Sequence, residues 1–368
     1  MNTHATRTRA ALAVFTALLA LVWGAGQVFA QSTYVAPANR AVEWMKTQQQ
    51  PDGSFAGFGA GSTADAVLAI VAAGRDPGSY QQGGNTPVTF LQSKAVDLAK
   101  TAGGAGKLLV AVRALGMDGR QFGGVDLVQS IRATESVSVT GQYGPDLIGH
   151  AFAVLGLRAA REQVPPAAIE RIKTTQTAAG GWAFTGDTAE GSADTNTTAV
   201  VLQALVAAGA AESEAAMTNR AVEYLLSQQN TDGGWPYQKG GEFGSDSDAN
   251  STSYVVQALA ALNNDEDAER GRRFLLTLQT QSGAFGYSAA EAADNAGATY
   301  QAVHALLGAT LVDPVAAPLP VPPTAPIGEE LQPGMPRTGA GVALPVLVLV
   351  LSALALGGGL AVRRRSAA

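Results

Sequence analysis

Acidic and amide side chains recur in one setting along this chain, and they are the residues whose types could do chemistry. Asp194-Thr-Asn196-Thr and Asp248-Ala-Asn250-Ser each stand directly before an Ala/Val/Leu-rich run. Weaker versions of the same frame open at Asp146 and Asn295. Asp, Asn, Ser and Thr at a helix start accept hydrogen bonds from its free N–H groups, so capping is the plainest role. Several such caps at one mouth of a bundle would also make a ring of polar ligand contacts, drawn from Asp194, Asn196, Asp248, Asn250 and Asn295. Asp246-Ser-Asp-Ala-Asn250 opens like a calcium loop, yet Ser251 stands where that loop needs Gly and Gln257 where it needs the closing Glu. The chain has no cysteine, which excludes disulfides and thiolate metal sites. His150 and His304 fall inside apolar runs, where a hydrogen-bonded core histidine is the simpler reading.

The elements that must position these residues come from a repeat. Gln-x-x-x-Gly-x-Trp/Phe occurs four times, as Gln49–Gly53–Phe55, Gln176–Gly180–Trp182, Gln229–Gly233–Trp235 and Gln279–Gly283–Phe285. An aromatic-aliphatic pair precedes three of them: Trp44-Met45, Tyr224-Leu225 and Phe274-Leu275. A unit of this kind cannot bury its apolar face alone, so copies stack around a shared core. Alignment on Ala69, Ala114, Val154, Ala204, Ala258 and Ala305 gives intervals of 45, 40, 50, 54 and 47 residues, each enough for two helices. One helix of each unit, such as 220–229 or 166–176, is amphipathic and charged and should face solvent. The other is apolar nearly all round and should be buried. Six hairpins in two concentric rings result, an all-α architecture. The motif glycine ends the outer helix, the Trp or Phe fills the gap between neighbouring units, and the Gln bonds exposed helix-end groups.

The two ends read as targeting segments. Arg7 and Arg9 precede an apolar stretch and Val28-Phe29-Ala30 offers a small-residue cleavage site, so 1–30 reads as an export signal. The toroidal domain is expected over 31–311, followed by a Pro-rich stalk over 312–334. In 335–368 an apolar run long enough to span a bilayer ends in Arg363-Arg364-Arg365. Location at the cell surface, with the toroid facing outside, is the resulting expectation. Without the signal the chain keeps 22 basic and 30 acidic residues. That balance argues against a nucleic-acid partner.

The Gln-x-x-x-Gly-x-Trp pattern resembles the repeats of squalene–hopene cyclases and related prenyltransferase/squalene oxidase repeat proteins. The resemblance covers about residues 35–311 and implies an (α/α)6 toroid, a fold that serves cyclases, zinc prenyltransferases and non-catalytic cobalamin carriers. The zinc enzymes hold their metal with Asp, Cys and His, which a chain without Cys does not reproduce. The cyclases protonate a polyene with the middle Asp of Asp-x-Asp-Asp. Here Asn196 and Asn250 occupy the acid's place, and an amide donates no catalytic proton. Shifting the frame recovers Asp248 as the middle residue, and Asp146 falls near the acid's position in the third repeat; these are the two candidate general acids that the resemblance leaves. Met335-Pro-Arg-Thr338-Gly339 resembles a sortase sorting signal cut between Thr338 and Gly339, with Met in place of the leading Leu. A sortase, the cell wall and the membrane are the partners this implies.

The favoured expectation is therefore a surface-displayed, non-catalytic toroid that captures an extracellular small molecule, glycan or protein, without a cofactor; cobalamin or calcium is the ligand that the resemblances add. The alternative is a divergent cyclase, or another toroid enzyme, that uses Asp general acid chemistry.

Overall fold

In the computed structural model residues 33–314 are described, and the readings made of 1–30, 315–334 and 335–368 lie outside them. Among the described residues there are twelve α-helices and isolated β-bridges but no strand. They are α1 (33–45), α2 (Gly59–Ala72), α3 (Pro87–Leu98), α4 (Ala102–Ala114), α5 (Leu127–Ala133) and α6 (Leu147–Ala159). After these come α7 (Pro166–Thr174), α8 (Thr195–Ala208), α9 (Ala215–Gln228), α10 (Ala249–Ala261), α11 (Asp265–Thr277) and α12 (Ala296–Leu306). None of them is long and apolar enough to cross a membrane.

Each even-numbered helix packs on the next, and α12 returns to α2, so the even helices close an inner ring. Odd-numbered helices lie outside it, α3 against α2 and α4, α9 against α8, α11 against α10 and α12. Composition explains the division. α8 has no charged residue and buries almost its whole first three turns. α11 carries seven charged residues and buries one stripe, Ala268, Gly271, Phe274 and Leu275, the spacing of a single helix face. The inner ring is tight: a Cβ on Gly106 of α4 would stand 2.1 Å from the Phe152 carbonyl oxygen of α6, so only glycine permits that approach.

The repeated motif is a clamp between successive units. Trp182 donates its indole N–H to the Ile172 carbonyl at 2.8 Å, and Trp235 to Leu225 at 2.7 Å, each tying the loop to its own outer helix. The backbone N–H groups of Phe55, Trp182, Trp235 and Phe285 donate to the hydroxyls of Thr63, Thr198, Thr252 and Thr299 on the inner helices, at 2.9–3.0 Å. The Gln reaches forward to the next unit: the amide groups of Gln49, Gln176 and Gln279 donate to the carbonyls of Tyr80, Met217 and Pro37. Gln229 instead accepts from Arg270 of α11 at 2.9 Å. Gln279 and Pro37 belong to the last and first units, so this bond helps close the ring. Gly180 has φ +95°, and a Cβ there would lie 2.4 Å from the Arg220 carbonyl oxygen. The glycine thus serves both the turn and the close approach of the next outer helix.

One degenerate repeat becomes legible in three dimensions. Gly141-Gln-Tyr143 takes the place of Gly-x-Trp, with Gly141 at φ +79°. His150 replaces the threonine, its Nδ1 accepting from the Tyr143 N–H at 3.1 Å while its ring stacks on the phenol. Beyond α12 the chain stays packed as far as Pro314, which is buried, so the first residues assigned to the stalk lie against the ring.

Candidate functional site

Four of the six inner helices, α6, α8, α10 and α12, begin at residues singled out from the sequence. Asp146, Asp194 and Asp248 each accept at 2.7 Å from the N–H three residues on, those of Gly149, Thr197 and Ser251. Asn295 does the same for Ala298 at 2.9 Å. All four have extended backbone and cap α6, α8, α10 and α12 respectively. Asn196 and Asn250 occupy the second position of α8 and α10 and are half-buried. Thr195 donates its hydroxyl to Asn196 Oδ1 at 3.3 Å, whereas Asn250 Oδ1 is buried without a hydrogen-bond partner.

Two of these caps differ from an ordinary surface aspartate. Asp194 is 1% exposed, and its Oδ2 has no partner within hydrogen-bond geometry. Burial pushes its carboxyl up to about 6, against the pull of the Thr197 backbone and side chain and of Tyr237. The Tyr237 phenol is raised in turn, by burial and then by the Asp194 charge. Asp248 repeats the arrangement: burial raises its carboxyl, and its charge adds to burial in raising the Tyr287 phenol. The pairing follows from a stitch between units. The first N–H of α6, α8 and α10 donates to the carbonyl of Phe184, Tyr237 and Tyr287 in the next loop, at 2.8–2.9 Å. These three aromatics stand two positions after the motif Trp or Phe. That spacing was visible in the sequence, but the capping residues drew the reading away from it.

The loops at these helix starts also form a groove of about 520 Å³. Asn230, Asp232, Asp246, Ser245 and Ser247 give it hydroxyl, amide and carboxylate groups, and Phe274 forms part of its apolar wall. Asp232 Oδ1 accepts from the Gly234 N–H and the Ser247 hydroxyl, and Asn230 donates to the Ser245 carbonyl, so the polar wall is held by its own hydrogen bonds. Asp246 is exposed there while Asp248 is turned into the α10 cap. Among the described residues no group of three or more His, Asp and Glu converges on a metal position.

The axis of the ring holds residues that the sequence reading passed over. Lys107 of α4 and Asp65 of α2 pair at 2.6 Å. Burial is the largest influence and lowers the Lys107 ammonium, but the charge of Asp65, the Tyr254 phenol and the hydrogen bond to Asp65 together leave it raised. Beside the pair, Tyr254, Gln257, Gln301, His304 and Leu311 leave a residual cavity of about 10 Å³, room for one water molecule. The signal was a charge inside each of two otherwise apolar helices, Asp65 alone in α2 and Lys107 in α4, where the other charge, Arg113, stands in the last turn. Phe152, Tyr254 and Tyr300 are the aromatics of these inner helices; Tyr300 is fully buried and donates to the Ala56 carbonyl at 3.0 Å.

Both core histidines are held neutral, pushed down to about 4 chiefly by burial. Their folded values lie below the ordinary 6.5, so the stability they contribute is full above pH 6.5 and is lost as pH falls toward 4. Each is expected to remove about 2 kcal/mol by pH 5, more than Asp194 returns over the same interval. Urea unfolding at pH 7 and pH 5 should give a clearly lower stability at pH 5; equal values would contradict the buried neutral state.

Comparison with known proteins places this geometry. The family model of the squalene-hopene cyclase C-terminal domain matches residues 125–304. The model of the prenyltransferase alpha-alpha toroid domain matches residues 2–74, a span that includes the stretch read as an export signal. No curated protein matches the chain. Among solved structures, the type II terpene cyclase MstE from Scytonema is similar with a TM-score of 0.55 and 12% identity, over 75% of this chain and 98% of that one. A polysaccharide lyase is similar at 0.53 and 11% identity, over 75% and 96% of the two chains. The unsaturated glucuronyl hydrolase of Bacillus sp. GL1 follows at 0.52 and 12%, over 76% and 95%. At these identities the likeness concerns the fold.

Proposed function

We propose that this chain, a member of the α/α-toroid superfamily of terpenoid cyclases and protein prenyltransferases, is a non-catalytic binding module displayed outside the cell. Its ligand is hydrophilic, a glycan before other classes, and is taken at the end of the ring where the inner helices begin. One observation carries the reading. At that end a groove of about 520 Å³ carries hydroxyl, amide and carboxylate side chains, whereas a second groove of about 640 Å³ lies on the outer helix α1, and the axis is polar and nearly filled, with about 10 Å³ left. Ligand sites run to about 300–1,000 Å³, so a polyene has no place on the axis in this conformation. Fold does not decide between chemistries, since a terpene cyclase and two carbohydrate-active enzymes resemble the chain to nearly the same degree. Display outside the cell is supported by the basic-apolar start and the apolar, arginine-ended tail.

The test is binding of the purified chain to arrayed polysaccharides, followed by calorimetric titration of the best binder. Asp246→Ala, at an exposed position, should weaken binding at least about tenfold at unchanged melting temperature, as expected where a few polar groups fix ligand orientation. Lack of saturable binding to any arrayed glycan would refute the glycan assignment.

A second reading rests on Asp194, a buried carboxyl raised to about 6 with one unpartnered oxygen. A group so placed is fit to act as a general acid near neutral pH. If it does, isoprenoid or glycan turnover by the wild type will disappear in Asp194→Asn. A wild type that turns over neither substrate class removes the reading.

A further inference from the structure

The groove on α1 lies where the repeat departs from its own packing. In two motif loops the second glycine meets an aromatic ring of the next outer helix. A Cβ on Gly181 would come within 2.6 Å of the Tyr224 ring, and one on Gly234 within 2.7 Å of the Phe274 ring. Both rings are buried. Trp44 holds the same place on α1. A Cβ on Gly283 would meet the Arg40 carbonyl oxygen, as one on Gly180 would meet that of Arg220 and one on Gly233 that of Arg270, each four residues before its aromatic. At this seam, where the last unit meets the first, Ala284 replaces the second glycine. Phe90 still seats in the unit where Ser54 has that position, but the wider indole opposite Ala284 stays half-buried. A groove of about 640 Å³ is left, lined by Asn39, Arg40, Glu43, Trp44, Thr47 and Ser282.

The groove at the ring end is the same crevice one repeat earlier. Asp232 and Phe274 line it where Ser282 and Trp44 line this one, the first of each pair three residues after the motif Gln and the second on the facing outer helix. Stacked repeats present such a surface at regular intervals. Positions 40, 43, 44 and 47 fall on one face of α1 and the turn that follows it. Trp182 and Trp235 donate their indole N–H to backbone carbonyls, whereas the indole of Trp44 makes no such bond. Asn39 accepts from Arg75 at 3.4 Å through its oxygen, which leaves its amide N–H groups to the groove. Arg40 and Glu43 carry opposite charges, so the lining is neutral as a whole.

We propose that the Trp44 groove is a second glycan site, in which a neutral pyranose ring stacks on the indole. The ligand class is that of the reading above; the residues are different ones. A pyranose is apolar on its ring faces and polar at its edge, where each hydroxyl both donates and accepts. The groove has the complementary form. The indole gives an apolar floor, Glu43 accepts, Arg40 and Asn39 donate, and the Thr47 and Ser282 hydroxyls do both. A proline-rich peptide brings carbonyl acceptors and lacks N–H donors at its prolines, so Glu43 would be covered without a partner. A flat apolar molecule would leave several of the polar groups unpaired. A linear glycan long enough to enter both crevices would bind more tightly than either crevice alone allows.

The experiment titrates the full-length chain by calorimetry with cellohexaose, mannohexaose and N-acetylchitohexaose, with indole emission recorded alongside. At least one should bind saturably and shift the emission. Trp44→Ala should weaken that binding at least about tenfold and remove the shift, the scale of loss typical of a tryptophan anchor. Ser282→Tyr, at an exposed position, fills the groove from its edge and should weaken binding to the same degree. In Asp246→Ala, where the ring-end groove is impaired, the emission shift should persist, so failure of that groove and failure of this one are told apart. Three results would overturn the proposal: no saturable binding of any of the three sugars, unchanged affinity in Trp44→Ala, or unchanged affinity in a folded Ser282→Tyr. Binding of a synthetic 318–326 peptide that depends on Trp44, with no sugar bound, would overturn it in favour of a proline-rich occupant. Should Trp44→Ala fail to fold, Ser282→Tyr decides by the same criterion.

Discussion

Trp235→Ala is expected to lower folding stability by about 3–5 kcal/mol, the usual range for deleting a buried indole. The side chain is fully buried. Its ring lies where a Cβ on Gly271 would come within 2.8 Å, so it fills the space between its own unit and α11 of the next. Alanine would leave a cavity between repeats and strip the Leu225 carbonyl of its indole donor. Trp235→Phe separates the two effects: it keeps most of the volume, loses the N–H, and should cost about 1–3 kcal/mol. Urea unfolding of both variants measures this, and Trp182→Ala should match Trp235→Ala because Trp182 makes the equivalent bond to Ile172. A loss under about 1 kcal/mol in both alanine variants would mean that the aromatics do not hold the units together.

Asp194→Asn should stabilise the protein at neutral pH, against the usual direction of a buried substitution. Asn caps a helix about as well as Asp, so the bond to the Thr197 N–H at 2.7 Å can be kept. What the amide removes is a buried charge. The folded carboxyl lies at about 6, above the ordinary 3.8. A raised acid binds its proton more tightly in the folded state, so its stabilising contribution is full below pH 3.8 and is lost as pH rises through 6. Between those limits the wild type gives up about 3 kcal/mol that the variant keeps. The histidines titrate alike in both proteins and cancel in the difference. The difference in unfolding free energy should therefore grow from pH 4 to pH 7 and then level off. A difference that does not change with pH would show that Asp194 titrates normally. Asp248→Asn should shift in the same direction, because burial also raises Asp248.

The repeated elements were legible because their signals are local. Gln, Gly and Trp at fixed offsets mark a turn whose geometry depends on a few neighbouring residues, and the charged and apolar helices differ in composition within a single window. The third repeat was harder to read because only its bonding pattern survives. Gly141 and Tyr143 keep the turn, but His150 has replaced the threonine that the other loops use, and no spacing rule equates imidazole with hydroxyl. The capping residues were legible as caps. Their pairing with Tyr237 and Tyr287 was not, because each tyrosine comes from the following unit.

The sequence by itself determined the all-α repeat architecture, the order of outer and inner helices, and the set of polar residues at the inner-helix starts. Each of these follows from periodicity and from which groups satisfy a helix end. Only the tertiary structure decided what fills the axis. Asp65 meets Lys107 across 42 residues and the Leu311 N–H meets Gln203 across 108, and neither spacing is encoded in any local pattern. Whether the ring encloses a chamber or a packed polar core depends on how far six helices approach one another. That distance is set by side-chain volumes summed around the whole ring, glycines such as Gly106 included, and by a tail segment whose Leu311 N–H bonds Gln203 inside it.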